Sequence, residues 1–176
     1  RIDYRETVKK ETGIDVLHTT EKEIKKKLEE LKIVYDGDTM ERLVDTLWKH
    51  CRKQISGPVF LTGHPKLVSP LSKSVEKNPE ITERFNIIIA GVEIGNGFSE
   101  LNDPIDQAER FEAQQELLKA GDKEAMMPDM EFVEMLEYGM PPTCGFGFGE
   151  SLFAVLTDKP LRETQFFPLM RPRKEE

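Results

Sequence analysis

The residue types best suited to bind a small charged molecule lie in residues 93–100, which read EIGNGFSE. Side chains alternate between the two faces of a strand, so Asn96, Phe98 and Glu100 would share one face. That face would offer an amide, an aromatic ring and a carboxylate, which suits a zwitterionic ligand with an additional ammonium group. The alternative is that the glycines form turns and the carboxylates face solvent.

A second carboxylate, Glu93, has the opposite parity on this segment. A β-bulge at Gly95 or Gly97 would bring it onto the binding face, and glycine readily permits such a bulge. The dipeptide at residues 90–91, Ala-Gly, allows a tight hairpin turn. With the turn there, Asn86 and Glu93 would become diagonal neighbours on one face.

Glycines alternate with phenylalanines in residues 145–149, GFGFG. This spacing removes the side chains from one face of a strand, so a flat ring such as a purine could lie against the backbone at Gly145, Gly147 and Gly149. A crowded contact with a neighbouring element would require the same residues, and the spacing favours neither interpretation. The segment is not a phosphate-binding P-loop, because no Lys-Ser or Lys-Thr pair follows it.

The composition argues against several classes of protein. Lys and Arg total 25 and Asp and Glu total 33, a net charge of −8, which disfavours general nucleic-acid binding. The longest apolar run, residues 87–90, is far too short for a membrane span. Cys51 and Cys144 make no disulfide framework and predict a reducing, cytoplasmic setting. The missing initiator Met indicates a fragment or a processed chain.

Helices and strands interleave along the chain. Thr20 and Glu23 predict a capping box at the start of one helix, Thr39 or Asp38 caps the next, and a long helix starts at residue 103. The remaining patterns predict helices over 4–12, 130–138 and 151–156, and strands over 58–62, 84–89, 92–94, 145–149 and 165–167. They also predict a break in the strand at 95–97 and a mobile exposed loop over 69–77. The fold class is therefore α+β, one domain over residues 1–176 with a partly antiparallel sheet.

Several of these segments resemble class II lysyl-tRNA synthetases. The most specific match is 93–103, EIGNGFSELND, which is similar to the family's lysine-pocket strand. Other segments on either side of it also resemble the family and occur in the family's order. Before it they are 68–71 and 79–85, and after it they are 107–111, 121–126, 141–143 and 167–172. The resemblance is strong over 58–172 and looser over 1–57. It implies that the chain forms the second half of a class II catalytic core, in which helices flank an antiparallel sheet. Residues 1–57 would be a helical segment of this core, and residues 58–172 would contain the lysine pocket and motif 3.

By resemblance, the enzyme would activate lysine with ATP and Mg²⁺ to lysyl-adenylate and then transfer lysine to tRNA-Lys. The resemblance assigns the lysine ε-ammonium to Glu100 and the pocket walls to Asn96 and Phe98. Glu93 would bind Mg²⁺ or position ATP through it, since hard oxygen ligands suit Mg²⁺. The glycine strand resembles motif 3, whose backbone packs on the adenine. Such chemistry depends on positioning and charge neutralisation, so no catalytic nucleophile is expected.

Three features depart from the family's pattern. Asn86 stands where the family has its first metal-ligand Glu; the amide oxygen can coordinate Mg²⁺ but brings no charge. Motif 3 is one residue shorter, so Ser151 stands where the family has an ATP-binding Arg. By the same resemblance, the chain would start after the regions where the family has motif 1, the dimer element, and motif 2, and it would not include the anticodon-binding barrel. We therefore expect a homodimer only for the full-length protein and no activity for this fragment.

Two other functions remain open at this point. A related ligase would attach lysine, or a relative of it, to a protein. A non-catalytic module would bind an amino acid or a nucleotide, or regulate another protein, and Asn86 and Ser151 favour that interpretation. The intact strand from Glu93 to Glu100 opposes it, because a module that no longer binds lysine would have little need for that face.

Overall fold

The computed structural model of the protein describes residues 1–122 and 125–169. In chain order its elements are β1 Ile2–Asp3, α1 Tyr4–Thr12, α2 Glu21–Glu30, α3 Met40–Arg52, β2 Val59–Thr62, β3 Ser74–Val75, β4 Asn78–Thr82, β5 Arg84–Ile89, β6 Val92–Ser99, α4 Pro104–Lys119, α5 Met130–Glu137, β7 Cys144–Phe148 and α6 Ser151–Thr157. None of the helices in these two ranges has the length and hydrophobicity needed to cross a membrane. Two of the segments that resemble the synthetase family, 121–126 and 58–172, lie in part outside the described residues.

The second and third helices begin where the capping residues predict. The Glu23 amide donates to Thr20 Oγ1 at 3.3 Å and the Thr20 amide donates to Glu23 Oε2 at 2.8 Å, so the capping box is confirmed. Thr39 caps α3. These bonds satisfy amides that a first helical turn leaves unpaired. The apolar faces of the helices then meet in a core whose fully buried members include Val8, Ile24, Leu28, Leu43 and Leu47.

A five-stranded sheet with the order β1-β2-β5-β6-β7 packs against this core. The pairs β2–β5, β5–β6 and β6–β7 are antiparallel, as predicted. β1 runs parallel to β2, so the sheet is mixed, which is consistent with the prediction of an at least partly antiparallel sheet. Parallel neighbours need a long crossover connection. Residues 4–58, which contain α1 to α3, supply it.

β5 and β6 form the predicted hairpin. Ala90 and Gly91 occupy its turn with φ values of 50° and 72°, the left-handed region that a type I′ turn requires at both positions. β6 then runs from Val92 to Ser99, so the predicted break at residues 95–97 is wrong. The strand instead carries a β-bulge opposite the step from Ile87 to Ile88, which keeps it paired on both sides of the irregularity.

The serine-rich segment after β2 is fixed in place, against the prediction of a mobile loop. Ser69 and Ser72 are buried, and β3 and β4 pair as a small second sheet. Arg110 of α4 donates from Nη1 to the carbonyl oxygens of both serines, at 3.0 and 2.8 Å. The segment is therefore held by a helix some forty residues away in sequence, which its own composition could not reveal.

The strand predicted over residues 165–167 does not form. Phe166 and Phe167 are 97% and 95% exposed, and within the described residues this segment pairs with no strand. A β-favouring composition expresses packing against neighbours more than an intrinsic backbone preference. Without such a neighbour, the two phenylalanines remain in an irregular segment.

Candidate active site

A shallow pocket of about 530 Å³ lies on one face of β5, β6 and β7. Leu61, Asn86 and Asn96 stand directly opposite one another across β2, β5 and β6, so their side chains point to the same face. Leu61 belongs to the helical core, whereas Asn86 and Asn96 line the pocket. The pocket is therefore the part of this sheet face that α1 to α3 leave uncovered. All predicted site residues except Ser151 line it.

The bulge in β6 brings Glu93 onto the pocket face. Asn86 pairs with Asn96 and Ile87 with Gly95, but Ile88 pairs with Glu93, so one residue of β6 is skipped. A bulge next to Gly95, the condition under which Glu93 would change faces, is thus present. Asn86 and Glu93 become neighbours, and Asn86 Nδ2 donates to Glu93 Oε2 at 2.8 Å.

Glu93 receives two more partners from α3. Trp48 Nε1 donates to Glu93 Oε1 at 2.7 Å, and Arg52 Nη1 lies 3.1 Å from the same oxygen. The sequence gives no local indication of this contact, because Trp48 lies 45 residues before Glu93. Both carboxylate oxygens are therefore engaged by protein donors, and one of those donors carries a positive charge.

The oxygen atoms of Asn86 and Glu93 fit a divalent cation that has few protein ligands. Asn86 is 3% exposed, and its Oδ1 has no hydrogen-bond partner within the described residues. Its Nδ2 already donates to Glu93 Oε2, so that bond fixes the orientation in which Oδ1 is left over. Mg²⁺ typically takes one or two protein oxygens and completes its shell with phosphate and water. The Asn86 amide oxygen and the Glu93 carboxylate can supply these one or two protein oxygens. Together they bring less negative charge than two carboxylates would.

Arg84 is a pocket residue that the sequence interpretation did not single out. Its Nε donates to Asn96 Oδ1 at 2.9 Å, and its Nη1 donates to the Val68 carbonyl at 3.0 Å and to Ser69 Oγ at 3.2 Å. Burial lowers its pKa from the ordinary value. The alternation along β5 could have indicated it, because Arg84 is two residues from Asn86. Arg84 holds the Asn96 amide in one orientation and ties the pocket to the segment that Arg110 anchors.

Glu100 is the pocket carboxylate to which the described part of the chain brings no partner. Among residues 1–122 and 125–169, no side chain or amide donates to its carboxylate, although its backbone amide donates to the Thr143 carbonyl at 2.9 Å. Its Oε1 lies 3.2 Å from the point where a Cβ on Gly145 would stand. Gly145 is in turn directly opposite Phe98. The glycine thus leaves room for Glu100 beside the Phe98 ring.

The glycines of β6 and β7 have different surroundings. A Cβ on Gly97 would meet the Phe85 ring at 2.8 Å and the Gly145 carbonyl oxygen at 3.0 Å, so packing requires that glycine. A Cβ on Gly147 would meet nothing within 4 Å. Gly147 is opposite Asn96, on the pocket face. Packing among the described residues therefore does not explain Gly147, and the pocket face is open at this residue.

Ser151, the first residue of α6, lies at the rim of the pocket. Its Oγ is 3.2 Å from the position of a Cβ on Gly149, and Gly149 itself lines the pocket. The Gly149 amide donates to the Ile94 carbonyl at 2.8 Å, which fixes the end of β7 to the bulge region of β6. Ser151 is thus next to the glycine strand and away from Glu100, which is at the strand's opposite end.

A larger cleft of about 1230 Å³ lies between the α2–α3 connection, α3 and the end of α4. It contains none of the predicted site residues. Arg42 and Asp122 meet in it at 3.0 Å, so its most buried opposite charges satisfy each other. The smaller pocket has the better chemistry for a ligand, because its Glu100 carboxylate and its buried Asn86 amide oxygen have no partner among the residues that the structure describes.

Known proteins with similar sequences point to the same family. The family model of class II tRNA synthetases (D, K and N) matches residues 1–171. Lysine–tRNA ligases from Thermotoga sp. (strain RQ2), Thermosipho africanus and Christiangramia forsetii are 42%, 43% and 43% identical to this chain. The alignments cover 100%, 98% and 99% of the chain but 36%, 35% and 32% of those relatives, so the chain spans about a third of their length. With a family match over nearly the whole chain and a mixed sheet flanked by helices, this chain belongs to the class II tRNA synthetases of the D, K and N group.

Proposed function

We propose that this chain is the lysine- and ATP-binding part of a lysyl-tRNA synthetase. The full-length protein would join lysine and ATP to form lysyl-adenylate and pyrophosphate, and would then transfer lysine to tRNA-Lys. One observation carries the proposal: the Glu100 carboxylate faces the pocket without a donor from the described residues. An ammonium group taken out of water needs such a partner. The names of the relatives, lysine–tRNA ligases, agree with it.

The lysine side chain would lie along β6. Its ε-ammonium would reach Glu100, and its methylene groups would pack against the Phe98 ring. Asn96, whose side-chain oxygen is held by Arg84, would present its amide Nδ2 to acceptors on the ligand. Glu93 does not compete for the ammonium group, since Trp48, Asn86 and Arg52 already engage its oxygens.

ATP would occupy the other half of the pocket. Its adenine would lie on the backbone of Gly145, Gly147 and Gly149, where the open face at Gly147 leaves space for a flat ring. Ser151 would stand near the phosphates. Glu93 and Asn86 would hold Mg²⁺, which neutralises phosphate charge and orients the leaving pyrophosphate when it is bound. Ser151 contributes a hydroxyl where a guanidinium would contribute charge.

The residues of this chain would act by positioning the two substrates. Bond formation needs the lysine carboxylate and the α-phosphate of ATP held next to each other, and the pocket would hold lysine by Glu100 and ATP by the glycine strand. No described pocket residue is placed as a nucleophile, in keeping with a displacement between the two substrates. The unpaired Glu100 is a binding group, since it meets the lysine end farthest from the reacting carboxylate.

The properties of the whole protein belong to the same proposal. We expect residues 58–172 to form the lysine pocket and motif 3 of one catalytic domain over 1–176, with 1–57 as its helical segment. A homodimer, tRNA-Lys binding and a cytoplasmic location are expected of the full-length protein. The two thiols, Cys51 and Cys144, are unpaired, which agrees with a reducing compartment. That this chain has no activity by itself stays a prediction.

The decisive variant is Glu100→Gln in the full-length protein. The substitution keeps the shape of the side chain and removes its charge, so the bound ammonium group loses its ionic partner. We expect lysine affinity to fall by about 30-fold or more, while ATP affinity changes little. Isothermal titration calorimetry with lysine and with ATP measures both. Discrimination between lysine and norleucine, which lacks the ammonium group, should also disappear.

The matched control is Glu76→Gln, which removes an exposed carboxylate outside the pocket. It should bind lysine like the unmodified protein. Equal lysine affinities for Glu100→Gln and the unmodified protein would remove Glu100 from the site and contradict lysine as the substrate.

A further inference from the structure

The Glu93 cluster, which consists of Trp48, Arg52, Asn86 and Glu93, connects a helix of the core to the pocket. Asn86 and Glu93 line the pocket, whereas Trp48 and Arg52 do not. Trp48 is 4% exposed and stacks on Tyr4, with ring centroids 4.7 Å apart. The indole is thus rigidly held by the core, and it offers its one N–H to Glu93 Oε1 at 2.7 Å.

Arg52 compensates the charge of the same carboxylate. Its Nη1 is 3.1 Å from Glu93 Oε1, and the two side chains are only 27% and 28% exposed, so water screens the pair incompletely. Asn86 adds no charge. Glu93 and Arg52 therefore sum to zero net charge at the place where a divalent cation would bind, and a cation without ATP gains little from the site.

We propose that Trp48 and Arg52 are positioning residues of α3 that fix and neutralise Glu93, so that a divalent cation binds at Asn86 and Glu93 only together with ATP. The proposal rests on the assignment of the ATP half of the pocket. Glu93 Oε1 is occupied by the two α3 donors. Glu93 Oε2, on the side of Asn86, is then directed to the pocket. There, the phosphate oxygens of ATP would supply the negative charge that Arg52 has neutralised.

The indole N–H of Trp48 offers a direct measurement of this arrangement. The full-length protein is labelled with isotopic tryptophan, and the Trp48 indole resonance is assigned by its loss in Trp48→Phe. Glu93→Gln replaces a charged acceptor by a neutral one, so the indole proton resonance should move upfield. An indole resonance that is unchanged in Glu93→Gln would mean that the hydrogen bond to Glu93 does not exist, and this would overturn the proposal.

Mn²⁺ alone, a paramagnetic substitute for Mg²⁺, then tests the charge compensation. A Mn²⁺ ion at Asn86 and Glu93 would broaden the Trp48 indole resonance because of its proximity. We expect no saturable broadening in the unmodified protein without ATP, and broadening once ATP is added. Arg52→Gln leaves Trp48 and Asn86 in place but removes the compensating charge. This variant should show saturable broadening without ATP. The Mn²⁺ concentration at half-saturation should be at least about fivefold lower than any at which the unmodified protein responds.

Lys49→Gln is the matched control, because it removes a positive charge from the same helix at a residue paired with Asp45 and not with Glu93. It should respond to Mn²⁺ like the unmodified protein. Arg52→Lys, which retains the charge, should restore the unmodified behaviour, whereas a merely structural role for Arg52 would not produce this pattern. Equal Mn²⁺ responses for Arg52→Gln and the unmodified protein would refute the proposal.

These measurements separate the proposal from the proposed function. The Glu93→Gln shift and the Mn²⁺ titration without ATP require neither lysine binding nor adenylate formation. A silent Glu100→Gln would therefore contradict the lysine assignment and leave the Glu93 cluster standing. An unchanged indole resonance in Glu93→Gln would contradict the cluster and leave the lysine assignment standing.

Discussion

One face of the five-stranded sheet carries two regions that differ in what covers them. At β2 and the end of β5, the helices bury it completely, and Leu61 and Ile88 are 0% exposed. At β6 and β7, the same face is open and consists of glycine backbone, the Phe98 ring and a few polar side chains. The backbone pairing is continuous across both. Side-chain size and the presence of a helix therefore decide whether this sheet face stabilises the fold or binds a ligand.

The largest effect is expected on the covered side. Leu47 of α3 is fully buried, so Leu47→Ala removes apolar contact and leaves a cavity. We expect the free energy of unfolding to fall by about 2–5 kcal/mol. Urea denaturation measures it, with Lys49→Ala on the exposed side of the same helix as the control, for which a change within about 0.5 kcal/mol is expected. A smaller loss for Leu47→Ala than for the control would show that α3 does not hold the core.

The same substitution at two glycines tests the boundary between packing and binding. Gly97→Ala places a Cβ 2.8 Å from the Phe85 ring and should lower the free energy of unfolding by about 1–3 kcal/mol. Gly147→Ala meets nothing within 4 Å and should change it by less than about 0.5 kcal/mol. Thermal and urea unfolding of the two variants provide the comparison.

Gly147→Val extends the test to the ligand. Its side chain would occupy the open face where the adenine is proposed to lie, so ATP affinity should fall by about tenfold or more while the protein stays folded. Calorimetric titration with ATP measures the change. An unaltered ATP affinity in Gly147→Val would place the adenine elsewhere.

A pH-dependent contact lies in α4 and joins it to the segment around β3. Arg110 and, to a lesser degree, Lys66 lower the pKa of Asp106 to about 2, against the opposing effect of partial burial. An unfolded Asp has a pKa of about 3.9, so Asp106 contributes stability that is complete above about pH 4 and is lost as the pH falls through about 2. Asp106→Asn should therefore be less stable by about 1–2 kcal/mol at pH 7.

Unfolding measured from pH 7 down to pH 2 checks this assignment. The difference in stability between the unmodified protein and Asp106→Asn should shrink below about pH 4. A difference that stayed constant over the whole range would mean that the charge of Asp106 does not stabilise the contact.

The smallest effect is expected at the rim. Ser151→Arg would add a positive charge next to Gly149, where the phosphates of ATP are proposed to lie. In the full-length protein, ATP affinity should rise by about three- to tenfold, since an arginine–phosphate bond is a charge-assisted contact, while lysine affinity should stay the same. Pyrophosphate exchange at varied ATP and varied lysine separates the two. A gain in lysine affinity alone would show that Ser151 is wrongly aligned with motif 3.

Local signals predicted the elements that are fixed by neighbouring residues. The capping box of Thr20 and Glu23 and the turn at Ala90 and Gly91 are confirmed, because their hydrogen bonds or φ angles involve residues close in sequence. Alternation along β6 likewise indicated that Asn96, Phe98 and Glu100 share a face, and all three line the pocket. The prediction of a strand at 165–167 was wrong because a strand there would have required a neighbouring strand to pair with.

What the sequence by itself determined is thus the set of chemical groups and their order along each strand. Alternation is a property of the extended backbone, so the amide, the ring and the carboxylate were assigned to one face before any partner was known. The family could be recognised from the same residues, and the match over residues 1–171 agrees with it.

Only the tertiary structure decided which groups are available. Glu93 and Glu100 are both carboxylates on one pocket face, but α3 brings Trp48 and Arg52 to the first and nothing described to the second. The bulge in β6 places Glu93 on the same face as Glu100, an outcome that the sequence left conditional on such a bulge. Hydrogen bonds between residues 45 positions apart depend on how a helix packs on a sheet. That packing is decided by the buried core as a whole, so no local pattern around Glu93 contains it.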